Sequence, residues 1–374
     1  MSSQDQECHR TTVTSARGER APSYDVWVRP GLVDGAGALI RDACPAARYA
    51  IITDSQVYGL YGERLQASLR GAGLATTTLR FAAGEWNKTR ETWIEMSDGL
   101  LRAGFGRDAV VIGLGGGVVG DVAGFVAATH LRGVPLIHVP TTLVAMVDSC
   151  VGGLVGVDTG VGRDLVGAVH EPSLVLIDPA LLMSLPLPHV AAGVAVAVKH
   201  GLILDAGYFE ELAANLDPIF AREPTALAKL IARSVEIKAE VLSRDARQRG
   251  YRSVLDFGHT VACAQGAIAG YAWLHGEALA AGIVAEAAIG EAVGVTRDGV
   301  AGRIRKALEA ARLPVAIDED VEAERFLEAL RLDRERRGGV GYTLLADVGA
   351  VAGSEGQGWT RQVPEEVVRA ALFG

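Results

Sequence analysis

The sequence predicts an α/β fold, a parallel-sheet domain followed by an all-helical one, and three observations predict it. Short apolar runs alternate with helical patterns through the first half of the chain. Such alternation builds a mostly parallel sheet with helices on both faces. The apolar run Ala109-Val-Val-Ile112 leads straight into Gly113-Leu-Gly-Gly-Gly-Val-Val-Gly-Asp121, with a small-residue helix over 118–128. From Pro188 onward β-rich runs nearly vanish and long Ala/Leu/Glu/Arg segments take over.

In chain order, strands are expected at 24–28, 49–53, 76–81, 109–112, 136–139 and 174–177, with helices at 59–70 and 89–103 between them. The second half carries helical patterns at 189–204, 225–244, 259–269, 276–291, 300–311 and 323–331. A short strand at 341–345 and a closing helix at 364–372 complete the chain. The boundary falls near Pro186-Leu-Pro188, giving domains 23–188 and 189–374. Residues 1–22 are polar, lack the apolar stretch of a signal peptide, and are expected to form a disordered tail.

A chain of 374 residues is long enough for two cores. Hydrophobic content of 49% with 22% charged residues fits a soluble globular protein, and 6% aromatics make the core mostly aliphatic. A net charge of −9 argues against a nucleic-acid-binding surface. The basic stretch 331–337 is interrupted by Asp333 and Glu335 and reads as a solvated helix end. No apolar stretch approaches the ~20 residues that span a bilayer, so no membrane partner is expected. Four cysteines, Cys8, Cys44, Cys150 and Cys263, show no paired spacing, which points to a reduced, cytoplasmic setting.

Glycines at a strand-to-helix turn let the backbone approach an anion closely, and the free N–H groups of the helix start supply hydrogen bonds and a positive dipole end. That geometry suits a dinucleotide pyrophosphate, although tight turns use the same residues. Asp54 ends an apolar run, where a carboxylate accepts from a ribose or equally serves as a turn or cap. Glu85 and Lys88 follow the next strand, as functional groups or as a capped helix start. Pro140-Thr141-Thr142 and Asp148 follow the strand at 136–139. In the second half, His259 and His275 each open an alanine-rich helix, as buried hydrogen-bonded residues or as metal ligands needing a third donor. Cys263 shares a helical face with His259. Lys199-His200 sits mid-helix among apolar residues, and Lys238 with Arg252 completes a basic set suited to an anionic substrate.

Together these motifs resemble the sugar phosphate cyclases, most closely the 3-dehydroquinate synthase family, over roughly 49–345. The strongest match starts at Gly115-Gly-Gly-Val-Val-Gly-Asp121 and continues through Leu131-Arg-Gly133, His138-Val-Pro-Thr-Thr142 and Val147-Asp-Ser-Cys-Val-Gly-Gly153. Phe257-Gly-His-Thr260 and His275-Gly-Glu-Ala278 keep the same order. The resemblance implies an N-terminal Rossmann-like NAD-binding domain, a C-terminal metal- and substrate-binding helical domain, and a homodimer. It implies NAD used in a closed cycle. Hydride leaves a secondary alcohol, phosphate is eliminated, the ketone is reduced back, and the opened product closes by an aldol step. A divalent metal, zinc or cobalt, would polarise the alcohol.

Carried over position by position, the NAD set comprises Asp54, Glu85, Lys88, Gly115, Gly116, Gly117, Asp121, Thr141, Thr142, Asp148, Arg163 in place of Lys, and Ser184 in place of Thr. The metal set keeps His259 and His275, but its Glu is Val196, which cannot coordinate a cation. Cys263 replaces a further histidine and is the candidate third ligand. Leu154 stands for a substrate-binding Lys, Asp164 for an Asn, Gln248 for a Glu, Asp256 for an Asn, and Asp333-Arg-Glu335 for Asp-Lys-Lys. Arg132, Lys199, Lys238, Arg252 and His259 remain for catalysis and substrate. The reading that follows is an NAD-dependent cyclase-like enzyme diverged toward another polyhydroxy substrate in specialised biosynthesis. Rivals are an NAD-dependent dehydrogenase or epimerase of a sugar or cyclitol, and a degenerate NAD-binding paralogue that pairs with an active partner.

Overall fold

The computed structural model describes residues 8–14, 23–160, 162–245, 250–270, 272–318, 320–332 and 340–374. The chain divides into two compact units, Met1–Leu185 with Pro224–Ala239, and Pro186–Glu223 with Glu240–Gly374.

The first unit holds strands β1 (His9–Thr14), β2 (Ser23–Val28), β3 (Arg48–Asp54), β4 (Thr76–Phe81), β5 (Ala109–Gly115), β6 (Leu136–Pro140), β7 (Leu154–Thr159), β8 (Gly162–Val169) and β9 (Leu174–Ile177). Its helices are α1 (Ala36–Ala43), α2 (Ser55–Val57), α3 (Glu63–Gly71), α4 (Arg90–Arg102) and α5 (Gly117–Thr129). Seven strands form one sheet in the order β1-β2-β9-β6-β5-β3-β4. Every neighbouring pair except β1–β2 runs parallel. Successive residues on β3 and β5, Tyr49 to Ile52 and Val110 to Ile112, are all buried, so both sheet faces are covered. That double burial explains why these strands read as continuous apolar runs. The face bearing Ala50, Ile52 and Val111 packs on Met96 and Leu100 of α4, Val119 to Val126 of α5, and Val155 and Val157 of β7.

Two features of this unit depart from expectation. β1 lies inside the stretch expected to be a disordered tail, paired antiparallel with β2 from His9 opposite Val28 to Thr14 opposite Ser23. Its only buried side chain is Val13, and Arg10 reaches Asp25 at 2.6 Å, so a polar edge strand escaped a search for apolar runs. The rest of that stretch, 1–7 and 15–22, lies outside the described residues. β7 and β8 form an unanticipated antiparallel hairpin.

The second unit is mainly helical: α6 (Leu187–Leu204), α7 (Ala206–Ala214), α8 (Leu216–Phe220), the end of α9 (Pro224–Arg244), α10 (His259–Ile268), α11 (His275–Ala292), α12 (Val300–Ala310), α13 (Ala323–Arg331) and α14 (Glu365–Phe373). It is not purely helical. β10 (Gly341–Tyr342) pairs with β13 (Arg361–Gln362), and β11 (Leu345–Asp347) with β12 (Ala350–Val351). The first unit runs to Leu185 and also takes in Pro224–Ala239, and the second begins at Pro186. α6 is the one described helix long and apolar enough to cross a membrane. Its residues from Val190 to Ile203 are all buried, which is the property of a core helix.

Candidate active site

In the first unit the site starts at the β5–α5 turn. A Cβ on Gly115 would lie 2.4 Å from Val119 Cβ, and one on Gly116 would lie 2.9 Å from Thr142 Cγ2. At Gly115, against Val119, only glycine lets this turn close. Gly116 caps α5 without a side-chain hydrogen bond, which leaves the helix start to a ligand. Beneath the turn lies His138 of β6, whose Nδ1 is 3.6 Å from the Cβ position of Gly113. Burial, with His170 adding to it, pushes the His138 imidazole down to about 4, so it stays neutral.

Around this cradle the expected cofactor residues take up defined places. Asp54 Oδ1 accepts from the N–H of Gln56 at 2.9 Å and of Val57 at 2.8 Å, making it the N-cap of α2. The Thr141 N–H donates to Gly115 O at 2.9 Å, and Thr142 Oγ1 accepts from the Ala145 N–H at 3.3 Å. The hydroxyls of Ser184 and Tyr61 share a short hydrogen bond. Gly84, at φ 122, turns the chain into Glu85–Asn87 and delivers Lys88 to the interior. The Lys88 ammonium lies 2.6 Å from Asp121 of α5 and also contacts Asp164 of β8. Burial opposes its charge, but these carboxylates outweigh it and hold the Lys88 pKa above its ordinary value. Burial pushes the Asp121 carboxyl up to about 6 against the pull of Lys88, with Asp164 and Glu85 adding to the rise. Arg163 Nη1 stands 3.8 Å from Glu85.

Lys238 changes company. Sequence reasoning placed it in the helical domain among substrate-binding cations, whereas in the fold it belongs to the first unit and contacts Asp148. Its ammonium donates to the Asp148 carbonyl at 2.6 Å and to the carboxylate of the same residue. Beside them, burial pushes the Cys150 thiol up to about 12, so it is an inert buried thiol. Arg132 stands exposed on a turn where Leu131 (φ 48), Arg132 (φ 72) and Gly133 (φ 116) are successively left-handed.

In the second unit three helices meet through glycine. A Cβ on Gly276 would lie 2.2 Å from Ala192 O of α6, and one on Gly282 would lie 2.1 Å from Gly258 O at the start of α10. That close packing brings the rings of His259 and His275 to a centroid distance of 5.4 Å at a 44° tilt. Sequence reasoning missed the residue that steadies this corner. Glu286 of α11 is fully buried, and its carboxylate accepts from the N–H of Gly258 at 2.8 Å and of Val261 at 3.2 Å. A carboxylate midway along the apolar pattern of α11, between Glu277 and Glu291 near its ends, was the available signal. Lys199, His200 and Arg252 are buried in the same unit.

The metal set is incomplete. Val196 is wholly buried on the face of α6 one turn beyond Ala192, and Cys263 is exposed on α10. Among the described residues no group of three His, Cys, Asp or Glu side chains is placed to hold an ion. Zinc sites take at least three protein donors, so the residues present do not fit a resident metal, and Cys263 does not make good the loss of the carboxylate. Gln248 and Asp333-Arg-Glu335 lie outside the described residues.

The fold and this cradle define a Rossmann-like α/β unit joined to a mainly helical one, the architecture of the sugar phosphate cyclases. The 3-dehydroquinate synthase N-terminal family model matches residues 78–192 and its C-terminal counterpart matches 193–336. A 3-dehydroquinate synthase of Symbiobacterium thermophilum is 43% identical over 319 residues, covering 85% of this chain and 89% of that protein. A 2-deoxy-scyllo-inosose synthase complexed with carbaglucose-6-phosphate, NAD+ and Co2+ superposes with a TM-score of 0.86 at 25% identity, covering 97% of this chain and 99% of that one. A 2-epi-5-epi-valiolone synthase from Streptomyces hygroscopicus with NAD+ and Zn2+ gives 0.85 at 28% identity, with 95% and 97% covered. The chain belongs to the 3-dehydroquinate synthase family.

Proposed function

We propose that the protein binds oxidised NAD and performs cyclase-type chemistry on a polyhydroxy substrate other than the seven-carbon keto-acid phosphate of the 3-dehydroquinate synthases. The supporting observation is a contrast. At Gly115 the glycine cradle leaves no room for a Cβ beside Val119, whereas a buried valine, Val196, stands where the family has a metal-binding carboxylate. NAD supplies a hydride acceptor when bound. Gly116, Gly117 and Thr142 receive its phosphates, while Asp54, Glu85, Lys88, Asp121, Thr141, Asp148, Arg163 and Ser184 line its place. The candidate substrate-binding residues are Arg132 and Lys238 in the first unit and Lys199, Arg252 and His259 in the second. The Lys238 ammonium donates to the carbonyl and the carboxylate of Asp148.

The surroundings in this reading are a cytoplasmic homodimer in specialised biosynthesis. A phosphate-release assay with the seven-carbon keto-acid phosphate tests it: turnover close to that of an ordinary synthase overturns the divergence. The incomplete donor set also favours a second reading, a catalytically degenerate paralogue that binds NAD beside an active partner. Product formation by the purified protein alone, from any polyhydroxy substrate, excludes that one.

A further inference from the structure

We propose that Asp164 is a specificity-determining residue that withholds the Lys88 ammonium from a phosphoryl group. This rests on the reading above and names its substrate class more narrowly: a polyol presenting a hydroxyl or an ammonium, not a phosphate, at this point of the site.

Lys88 is only 6% exposed, so whichever groups reach its ammonium decide what that charge can do. Two carboxylates reach it, Asp121 from α5 under the glycine cradle and Asp164 from β8. The β7–β8 hairpin that carries Asp164 is fastened to the Lys88 segment at several further points. The Asp158 N–H donates to Lys88 O at 2.8 Å, and Asp158 bridges to Thr89. The Asp158 carboxylate accepts from the Asp164 N–H at 3.0 Å, and Arg163 stands 3.8 Å from Glu85. Two carboxylates therefore face the one ammonium of Lys88.

A phosphoryl group entering here must separate Asp164 from Lys88 and then sit beside the displaced carboxylate. Asp164 is the partner able to leave, with 61% of its side chain exposed against 17% for Asp121. Its φ of 55 lies in the left-handed region, which Asp and Asn adopt more readily than other side chains. Asparagine there keeps the turn and removes only the charge.

The full-length protein and its Asp164→Asn variant are titrated by calorimetry at constant ionic strength with two probes, oxidised NAD and inorganic phosphate. Removing one charge a few ångströms from the incoming anion is expected to tighten binding roughly tenfold. A gain with phosphate supports the assignment, whereas a gain confined to NAD puts the withheld group on the cofactor and overturns the substrate class. Affinities unchanged within twofold for both probes overturn it. If the wild type fails to bind NAD while phosphate still tightens in the variant, the role of Asp164 stands and the NAD-dependent reading falls.

Discussion

Lys238 and Asp148 form an ion pair within the first unit, with 7% and 20% of their side chains exposed, although they lie 90 residues apart in sequence. Removing one member takes the ion-pair partner from a mostly buried charge. Asp148→Ala is therefore expected to lower stability by about 3 kcal/mol in urea unfolding, with Lys238→Met in the same background recovering at least half. Additive losses in the double variant would show that the two residues act independently.

Gly116→Ala places a methyl 2.9 Å from Thr142 Cγ2 at the mouth of the cradle, where a small shift of Thr142 accommodates it. The fold should survive with a small change in Tm, while NAD affinity drops at least tenfold by calorimetry. Wild-type affinity in this variant would remove the cradle from the binding site.

Val196→Glu restores a carboxylate to the histidine pair. A buried, unpartnered Glu is costly, so the metal-free variant should melt below the wild type. Zinc or cobalt should raise its Tm by several degrees, and elemental analysis should approach one ion per chain. A wild-type protein that already holds one ion tightly would contradict the incomplete donor set.

His138 gives stability a pH dependence. Its folded pKa is lowered to about 4 from an ordinary 6.5, so the unfolded chain takes up the proton first as pH falls. Its contribution is present above pH 6.5 and is lost as pH drops toward 4, by roughly 3 kcal/mol in all. The stability difference between wild type and His138→Leu, followed by urea unfolding across that window, isolates the effect from Asp121, whose raised pKa acts in the opposite sense. A difference independent of pH would mean that His138 is solvated or charged in the fold.

The central strands were legible because β3 and β5 are buried on both faces and must read as apolar runs, and the cradle because no other residue closes its turn. β1 was hidden because a polar edge strand needs only Val13 inside. Among the site residues, the pairing of His259 with His275 followed from two helix starts, whereas Glu286 was passed over within an apolar helix.

The sequence by itself determined the kinds of chemistry present: glycine where a turn must close, histidines at helix starts, valine where a ligand carboxylate would stand. The tertiary structure decided which charges meet. It took Lys238 to Asp148, Asp164 to Lys88, and left Cys263 exposed. Local periodicity records how deeply a residue is buried, because burial follows from the face of its own helix or strand. Burial then obliges a charge to find a partner, but only chain topology sets which partner lies within reach.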